Sequence, residues 1–208
     1  MFQLYLFAMN LRFRSHPDPQ IASTPWMSTK CTALLSELLQ DSDHFIEYGA
    51  GGSTRFASTH PIQSITTVES DARFLDALKP YFATREPGYW NPIHIDLGSV
   101  TALGYPKTLR AQWRWMRYAI TPWRVCPHAD LVLIDGRFRL ACALATAWYA
   151  KPGTRVFFDD YLLRPWYRKT EEFLTCVGQR RRACVFEVTG DQSIELRHAL
   201  IRAFSDPR

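Results

Sequence analysis

The chain has 208 residues, enough to bury a complete hydrophobic core, and we expect a single domain. Hydrophobic residues make up 47% of it and charged residues 22%, a balance that excludes a disordered or low-complexity protein. The net charge of +5 permits an anionic partner without requiring one. The apolar start, Met1 to Met9, is too short to span a bilayer and lacks the basic region and cleavage site of a signal peptide.

The predicted elements begin after an N-terminal extension over 1–22, so that the domain covers 23–208. Thr24 and Pro25 are typical of a helix start, and hydrophobic periodicity predicts an amphipathic helix over 25–40. A strand over 44–48 and a helix over 52–59 follow. The remaining predictions are strands at 64–69, 91–97, 129–134, 155–158 and 183–188, helices at 71–81, 138–150 and 165–177, and a last segment, 193–204, that favours a helix over a strand.

Strands and helices alternate along this whole length, which predicts an α/β fold: a doubly wound, Rossmann-like and mostly parallel sheet with helices on both faces. The unbroken apolar run from Leu131 to Ile134 supports a strand that is buried on both sides. Right-handed crossovers place the carboxyl ends of all parallel strands at one edge, where ligands of such sheets bind.

Three features bear on partners and location. Basic and aromatic residues interleave over 100–128, which we interpret as a substrate cap or a structural helix rather than a nucleic-acid interface, because no recognisable nucleic-acid module accompanies them. The basic run Arg180 to Arg182 is interpreted as a solvated segment before a strand. The five cysteines are scattered and form no C-x-x-C pair, so neither a disulfide framework nor a zinc site is indicated, and we expect a reducing, cytoplasmic location.

A glycine-rich turn follows the first strand and leads into a helix, an arrangement that forms nucleotide-type pockets. It contains Gly49, Ala50, Gly51 and Ser53. Glu47 lies two positions before the first glycine; a carboxylate facing the pocket would repel a pyrophosphate and suit the positively charged S-adenosylmethionine. The dinucleotide fingerprint also fails at its sixth position, which is Thr54. A structural strand-to-helix turn with a chance carboxylate is the alternative.

Acidic residues lie at the ends of four more predicted strands. Glu69 follows Glu47 by 22 positions, as a βαβ unit requires, and can accept hydrogen bonds from both ribose hydroxyls. As a carboxylate facing a cleft, Glu69 should add little to stability. Asp96 can accept from an adenine amino group, or can simply form a turn. With Asp135 and the pair Asp159 and Asp160, five acidic strand ends share one rim, and such crowding favours a cationic or many-donor ligand.

These motifs resemble those of the class I S-adenosylmethionine-dependent methyltransferases over about residues 25–190. The resemblance lies in Phe45 to Thr54, Val68 to Asp71, Ile95 to Gly98 and Leu133 to Gly136. It implies a cofactor site made of Glu47, Gly49, Ala50, Gly51, Ser53, Glu69, Asp96, Leu97 and Asp135. Within this superfamily, the chain resembles small bacterial proteins that carry an L-I-D-G-R-F-R segment and a late acid pair. The function of that subgroup is ill-defined.

The resemblance implies methyl transfer to a small molecule, through a hydroxyl or an amine. Asp135 and Asp160 are the candidate catalytic residues, with Arg137 and Tyr161 as substrate contacts. Some metal-dependent members place an acid after the fourth strand and an Asp-Asn pair after the fifth, which makes Asp135, Asp159 and Asp160 weak metal candidates. Asp160 replaces the Asn, and Arg137 can supply the positive charge instead, so we expect no metal.

Two alternative functions come from other classes. The methyltransferase pattern is an acid, one spacer and then G-x-G-x-G, and this chain has Ser53 in place of the last glycine. That departure is compatible with a non-catalytic binding or assembly module that keeps the fold. A nicotinamide-dependent oxidoreductase is the third hypothesis, which Glu47 disfavours, and Glu69 disfavours NADP in particular. The sequence does not indicate an oligomeric state.

Overall fold

A seven-stranded sheet organises the chain in a computed structural model that describes residues 18–101, 104–190 and 192–207. The strands are β1 (His44–Tyr48), β2 (Ser64–Glu69), β3 (Trp90–His94), β4 (Leu131–Ile134), β5 (Arg155–Phe158), β6 (Leu174–Arg180) and β7 (Ala183–Val188). The α-helices are α1 (Thr29–Gln40), α2 (Gly52–Ala57), α3 (Ala72–Phe82), α4 (Gln112–Ile120), α5 (Pro122–Val125), α6 (Arg139–Tyr149) and α7 (Ile194–Ala203). Short 3₁₀ helices cover Leu109–Ala111, Tyr161–Leu163 and Pro165–Glu172.

The strand order is β3-β2-β1-β4-β5-β7-β6, with β1 to β5 parallel and β7 antiparallel to both of its neighbours. Tyr48 at the end of β1 pairs with Val68 of β2 and Ile134 of β4. The three central strands therefore end level, and the residues that follow them meet at one edge. This confirms the predicted doubly wound, mostly parallel sheet.

Alternate residues of the central strands feed two separate cores, one on each face. Ile46 and Val132 belong to the core under α6 and α7. Phe45 and Leu131 belong to the opposite core, with α1 and α3. The near-continuous apolar sequence of β4 follows from this burial on both faces. Among the described residues, no helix has the length and apolar character needed to cross a bilayer.

Two predicted helices differ from the structure. The helix predicted over 165–177 is a 3₁₀ helix, Pro165–Glu172, followed by strand β6, because the second half of the segment pairs with β7 as a hairpin. The first helix begins at Thr29, not at residue 25, and Ser28 caps it by accepting a hydrogen bond from the Cys31 amide. The final helix is confirmed as α7, with Ser193 as its cap.

The aromatic and basic stretch 100–128 is divided between the core and the ligand edge. Trp115, Tyr118 and Trp123 are buried in the core beside α6, whereas Trp113 is 66% exposed. Helical spacing turns the aromatic residues inward and leaves most of the arginines in solvent. The expected structural helix is therefore present, and residues before it form part of a cavity wall.

Candidate functional site

A cavity of about 870 Å³ opens at the edge where β1, β2 and β4 end. Three strand-end loops enclose it, together with the segment 20–26 before α1 and the residues Val100, Thr101, Gly104 and Lys107. The residues predicted for the site that line it are Gly49, Ala50, Gly51, Ser53, Glu69, Asp135 and Arg137. The sheet topology thus brings together residues that are 88 positions apart in the chain.

The turn after β1 lies directly against the loop after β4. Gly49 has a φ of 101°, in the left-handed region, and a Cβ there would lie 3.0 Å from the Cα of Gly136. A Cβ on Gly136 would lie 2.3 Å from the Tyr118 hydroxyl oxygen. Only glycine allows this approach, which holds the turn and the Asp135 loop in one wall of the cavity.

Glu69 lines the cavity and also holds its loops in place. One carboxylate oxygen accepts a hydrogen bond from the Ala50 amide at 2.9 Å. The other accepts from the amides of Ser70 at 2.5 Å and Asp71 at 2.8 Å, and from the Ser70 hydroxyl. This carboxylate therefore ties the glycine turn to the loop after β2, so the expectation that it adds little to stability needs revision.

Glu47 does not face the cavity, contrary to the prediction from its position before the glycines. It is fully buried beneath the turn, where its carboxyl accepts a hydrogen bond from the Thr54 hydroxyl at 2.5 Å. The Gly51 amide in turn donates to that hydroxyl. Burial raises the pKa of Glu47 to about 8, so the buried carboxyl is mostly protonated at neutral pH. It supports the turn from below.

Asp135 is the carboxylate that the cavity keeps partly accessible, with 31% of its side chain exposed. Arg139 at the start of α6 donates to its Oδ1 at 2.8 Å. Desolvation raises the pKa of Asp135 to about 6, while Arg139 acts in the opposite direction. An accessible carboxylate with a pKa near neutrality suits a general base.

The predicted roles of Asp159, Asp160 and Tyr161 are not supported, because none of them lines the cavity. Arg182 binds both oxygens of Asp159 and also Oδ1 of Asp160, and Arg164 binds Oδ2 of Asp160 at 2.9 Å. Arginine side chains therefore balance the negative charges of Asp159 and Asp160, the pair considered above as weak metal ligands. The Tyr161 hydroxyl is buried and donates to Glu171 at 2.7 Å, away from the site. Arg182, with 34% of its side chain exposed, is thus part of an ion-pair cluster at the end of the basic run.

Asp96 and Leu97 also lie outside the cavity. Strand β3 ends at His94, so the chain has already turned when it reaches Asp96, which accepts from the Gly98 amide and pairs with Arg114. Leu97 is 1% exposed and packs in the core. Asp96 therefore forms a turn, which was its alternative role in the sequence analysis. The loop after β2, with Ser70 and Asp71, lies in the cavity wall instead.

The segment 20–26, which the sequence divides between an extension and a helix, is part of the cavity wall. The carbonyl oxygen of Thr24 rests on Gly52, where a Cβ would lie only 2.2 Å away. Arg55 donates to the carbonyl of Ile21 at 3.2 Å, and Arg182 donates to that of Trp26 at 3.0 Å. Ile21 also packs against the core on the α1 side of the sheet. The anchors to Gly52, Arg55 and Arg182 are backbone carbonyls, which hydrophobic patterning does not reveal.

The substitution Gly52→Ala should detach this segment. The added methyl group cannot coexist with the Thr24 carbonyl, and such overpacking typically costs about 1–3 kcal/mol. We expect faster chymotrypsin cleavage after the exposed Trp26 and a lower melting temperature. Gly178→Ala is the matched control, because a Cβ there meets nothing within 4 Å. Equal cleavage rates in the two variants would contradict this account of the wall.

Further cavity residues come from the stretch 100–128 and from Arg137. The Tyr118 hydroxyl reaches the cavity and the Val68 carbonyl, and the guanidinium of Arg137 lies 4.3 Å from the Tyr105 ring centroid. Lys107 lines the same wall. Among the described residues, neither Lys107 nor Arg137 is paired with a carboxylate. Arg137 was predicted as a substrate contact. Aromatic and basic composition pointed to the stretch 100–128 as a whole, but did not single out Lys107 or Tyr118 as cavity residues.

The fold has relatives among solved structures, although no family model and no curated protein matches the sequence. A methyltransferase-like protein from Silicibacter pomeroyi is 31% identical, with a TM-score of 0.81; the match covers 90% of this chain and 100% of that one. The N-methyltransferase NodS from Bradyrhizobium japonicum, crystallised with S-adenosyl-L-homocysteine, is 15% identical, with a TM-score of 0.52 and coverage of 88% and 98%; this shows likeness of fold alone. On the first match, and on a sheet whose glycine turn and acidic strand ends enclose one cavity, the chain belongs to the class I S-adenosylmethionine-dependent methyltransferase superfamily.

Proposed function

We propose that the protein binds S-adenosylmethionine in this cavity and transfers its methyl group to a hydroxyl or amine of a small molecule. The observation that carries the proposal is the convergence of the glycine turn, Glu69 and Asp135 on one cavity. Its volume of about 870 Å³ lies within the range of roughly 300–1,000 Å³ typical of small-molecule sites, and at its upper end. Such a volume leaves room for an acceptor beside the cofactor.

In this proposal the turn residues Gly49 to Ser53 bind the methionine end of the cofactor. Glu69 accepts hydrogen bonds from the ribose hydroxyls, because its Oε2 has one protein donor and retains acceptor capacity. Ser70 and Asp71 then lie next to the adenine. The positive sulfonium would be close to the carboxylates of Glu69 and Asp135, and the attraction between opposite charges favours this orientation.

Methyl transfer is an in-line displacement, in which the acceptor atom forms a bond to the methyl carbon as the carbon–sulfur bond breaks, so positioning supplies much of the acceleration. A neutral hydroxyl or amine must also lose a proton, and Asp135 is placed to accept it. With a pKa of about 6, Asp135 is mostly ionised at pH 7. Lys107 and Arg137 favour an acceptor that carries a negative group.

Isothermal titration calorimetry of the full chain with S-adenosylmethionine and S-adenosylhomocysteine tests the proposal. We expect both to bind, with dissociation constants between about 1 μM and 1 mM, the usual range for substrates. NAD serves as the control and should not bind. Absence of binding by both adenosyl ligands at millimolar concentration would reject the cofactor assignment.

The transfer itself needs a second measurement. Incubation with cofactor labelled in its methyl group and a pool of small anionic hydroxyl and amine compounds should label at least one of them. Binding without any labelled product, across pools that include neutral compounds, would favour the non-catalytic binding module.

A further inference from the structure

A cluster of nitrogen and sulfur ligands lies outside the cavity, where β1 and β4 begin. His44 is the first residue of β1, and Cys126 and His128 lie in the turn between α5 and β4. One potential ligand atom from each of the three lies within 4.8 Å of the others. Among the described residues this is the one group of three such side chains so arranged.

The backbone around the cluster is held by specific hydrogen bonds. The carboxylate of Asp130 accepts from the amides of Asp43 at 3.0 Å and His44 at 3.1 Å. The Asp130 amide donates to the carbonyl of His44 at 3.0 Å. These three bonds keep the turn that carries Cys126 and His128 against the start of β1, so the juxtaposition does not depend on side-chain conformation alone.

The contacts of the His44 side chain place it beside both Ser64 and His128. Nδ1 of His44 lies 2.9 Å from the Ser64 hydroxyl, an outer partner of the kind that orients metal-binding histidines. Its ring contacts His128 edge to face, with centroids 4.2 Å apart. Cys126 is buried and His128 is exposed, which leaves a path for a metal ion to enter.

We propose that His44, Cys126 and His128 form a zinc site, with solvent as the fourth ligand. Two imidazoles and a thiolate suit Zn²⁺ better than Mg²⁺ or Ca²⁺, which prefer oxygen ligands. Bonds of about 2.0–2.3 Å in a tetrahedron bring ligand atoms to roughly 3.3–3.6 Å from one another. A small rotation of the exposed His128 ring closes the remaining gap. On binding, the Cys126 thiol releases its proton to solvent and the sulfur coordinates the metal.

The site lies at the opposite edge of the sheet from the cavity and is independent of methyl transfer. A bound zinc ion would link the turn before β4 to the start of β1, two neighbouring strands of the sheet. The expected consequence is therefore a gain in stability. The spacing of the ligands along the chain is irregular, which explains why no zinc motif is visible in the sequence.

Cobalt substitution tests the proposal in the full, tag-free chain. We expect one equivalent of Co²⁺ to produce thiolate-to-cobalt charge-transfer absorption and the visible bands of a four-coordinate ion. Zinc should displace the cobalt and raise the melting temperature. Cys126→Ser should abolish the charge-transfer absorption, and His44→Ala and His128→Ala should weaken cobalt binding by at least about tenfold, the loss that even outer-sphere changes produce.

Matched variants keep the test specific. Cys176→Ser removes an exposed cysteine in the β6–β7 hairpin, and His198→Ala removes an exposed histidine of α7; both should leave the spectrum unchanged. His128 is exposed, so its variant should fold even if Cys126→Ser does not. No charge-transfer absorption at several-fold molar excess of cobalt, or its persistence in His128→Ala with wild-type affinity, would overturn the proposal.

Discussion

Glu69→Ala should weaken the binding of S-adenosylhomocysteine by about tenfold to several hundredfold. In the proposed complex the carboxylate accepts hydrogen bonds from the ribose, and hydrogen bonds to a charged group are worth roughly 1.5–3 kcal/mol each. The same substitution leaves the amides of Ala50, Ser70 and Asp71 without their acceptor, so we also expect a lower melting temperature. Calorimetry and thermal unfolding on the one variant measure both effects.

Glu37→Ala, on the exposed face of α1, is the control for a carboxylate that has neither role. It should change neither the affinity nor the melting temperature appreciably. If Glu69→Ala lowers the melting temperature but leaves the affinity unchanged, the ribose assignment is wrong and Glu69 only supports the loops. If it leaves the melting temperature unchanged, the hydrogen bonds to the three amides contribute little to stability.

Glu47→Gln should remove a large pH dependence of the free energy of unfolding. Glu47 has a pKa of about 8 in the folded protein, because of burial, against an ordinary value of 4.5. As the pH rises from 4.5 to 8, the unfolded chain loses this proton and the folded chain retains it. Folding is therefore disfavoured progressively, by up to about 5 kcal/mol at pH 8 and above. Glutamine mimics the protonated carboxyl and does not titrate.

Urea unfolding of both proteins at pH 5, 7 and 9 checks this prediction. The wild type and Glu47→Gln should have similar stability at pH 5, and the variant should be the more stable of the two at pH 9. Glu37→Gln is the control, since its carboxyl is exposed. A constant difference between wild type and Glu47→Gln across the three pH values would mean that Glu47 does not hold a proton in the folded state.

Glu47 and Glu69 show that the same place in a sequence pattern does not determine where the side chain lies in the fold. Both end predicted strands, and the sequence assigns both to the ligand. Glu47 points beneath its turn and is fully buried, whereas Glu69 lies in the cavity wall. Side chains alternate between the two faces of a sheet, and where a strand gives way to a loop, the local backbone decides whether the last side chain faces the core or the ligand.

The sequence by itself determined the parallel part of the sheet, whereas strand β6 was missed. Alternating periodicities predicted the parallel sheet, and β4 was identifiable because burial on both faces selects a continuous apolar run. The glycine turn was identifiable because close approach to Gly136 excludes any Cβ. The order of elements then placed Gly49, Glu69 and Asp135 at one edge, since parallel strands with right-handed crossovers end on the same side.

Only the tertiary structure decided which acidic residues are available to a ligand. Arg182 and Arg164 form ion pairs with Asp159 and Asp160, and Arg114 forms one with Asp96. From the sequence, none of these three arginines was assigned to an acidic partner. The wall formed by residues 20–26 depends on backbone carbonyls, and the cluster of His44, Cys126 and His128 depends on the pairing of β1 with β4. Apart from the Arg164–Asp160 pair, which is four positions apart, these contacts join residues from different elements of the fold, and no local periodicity encodes them.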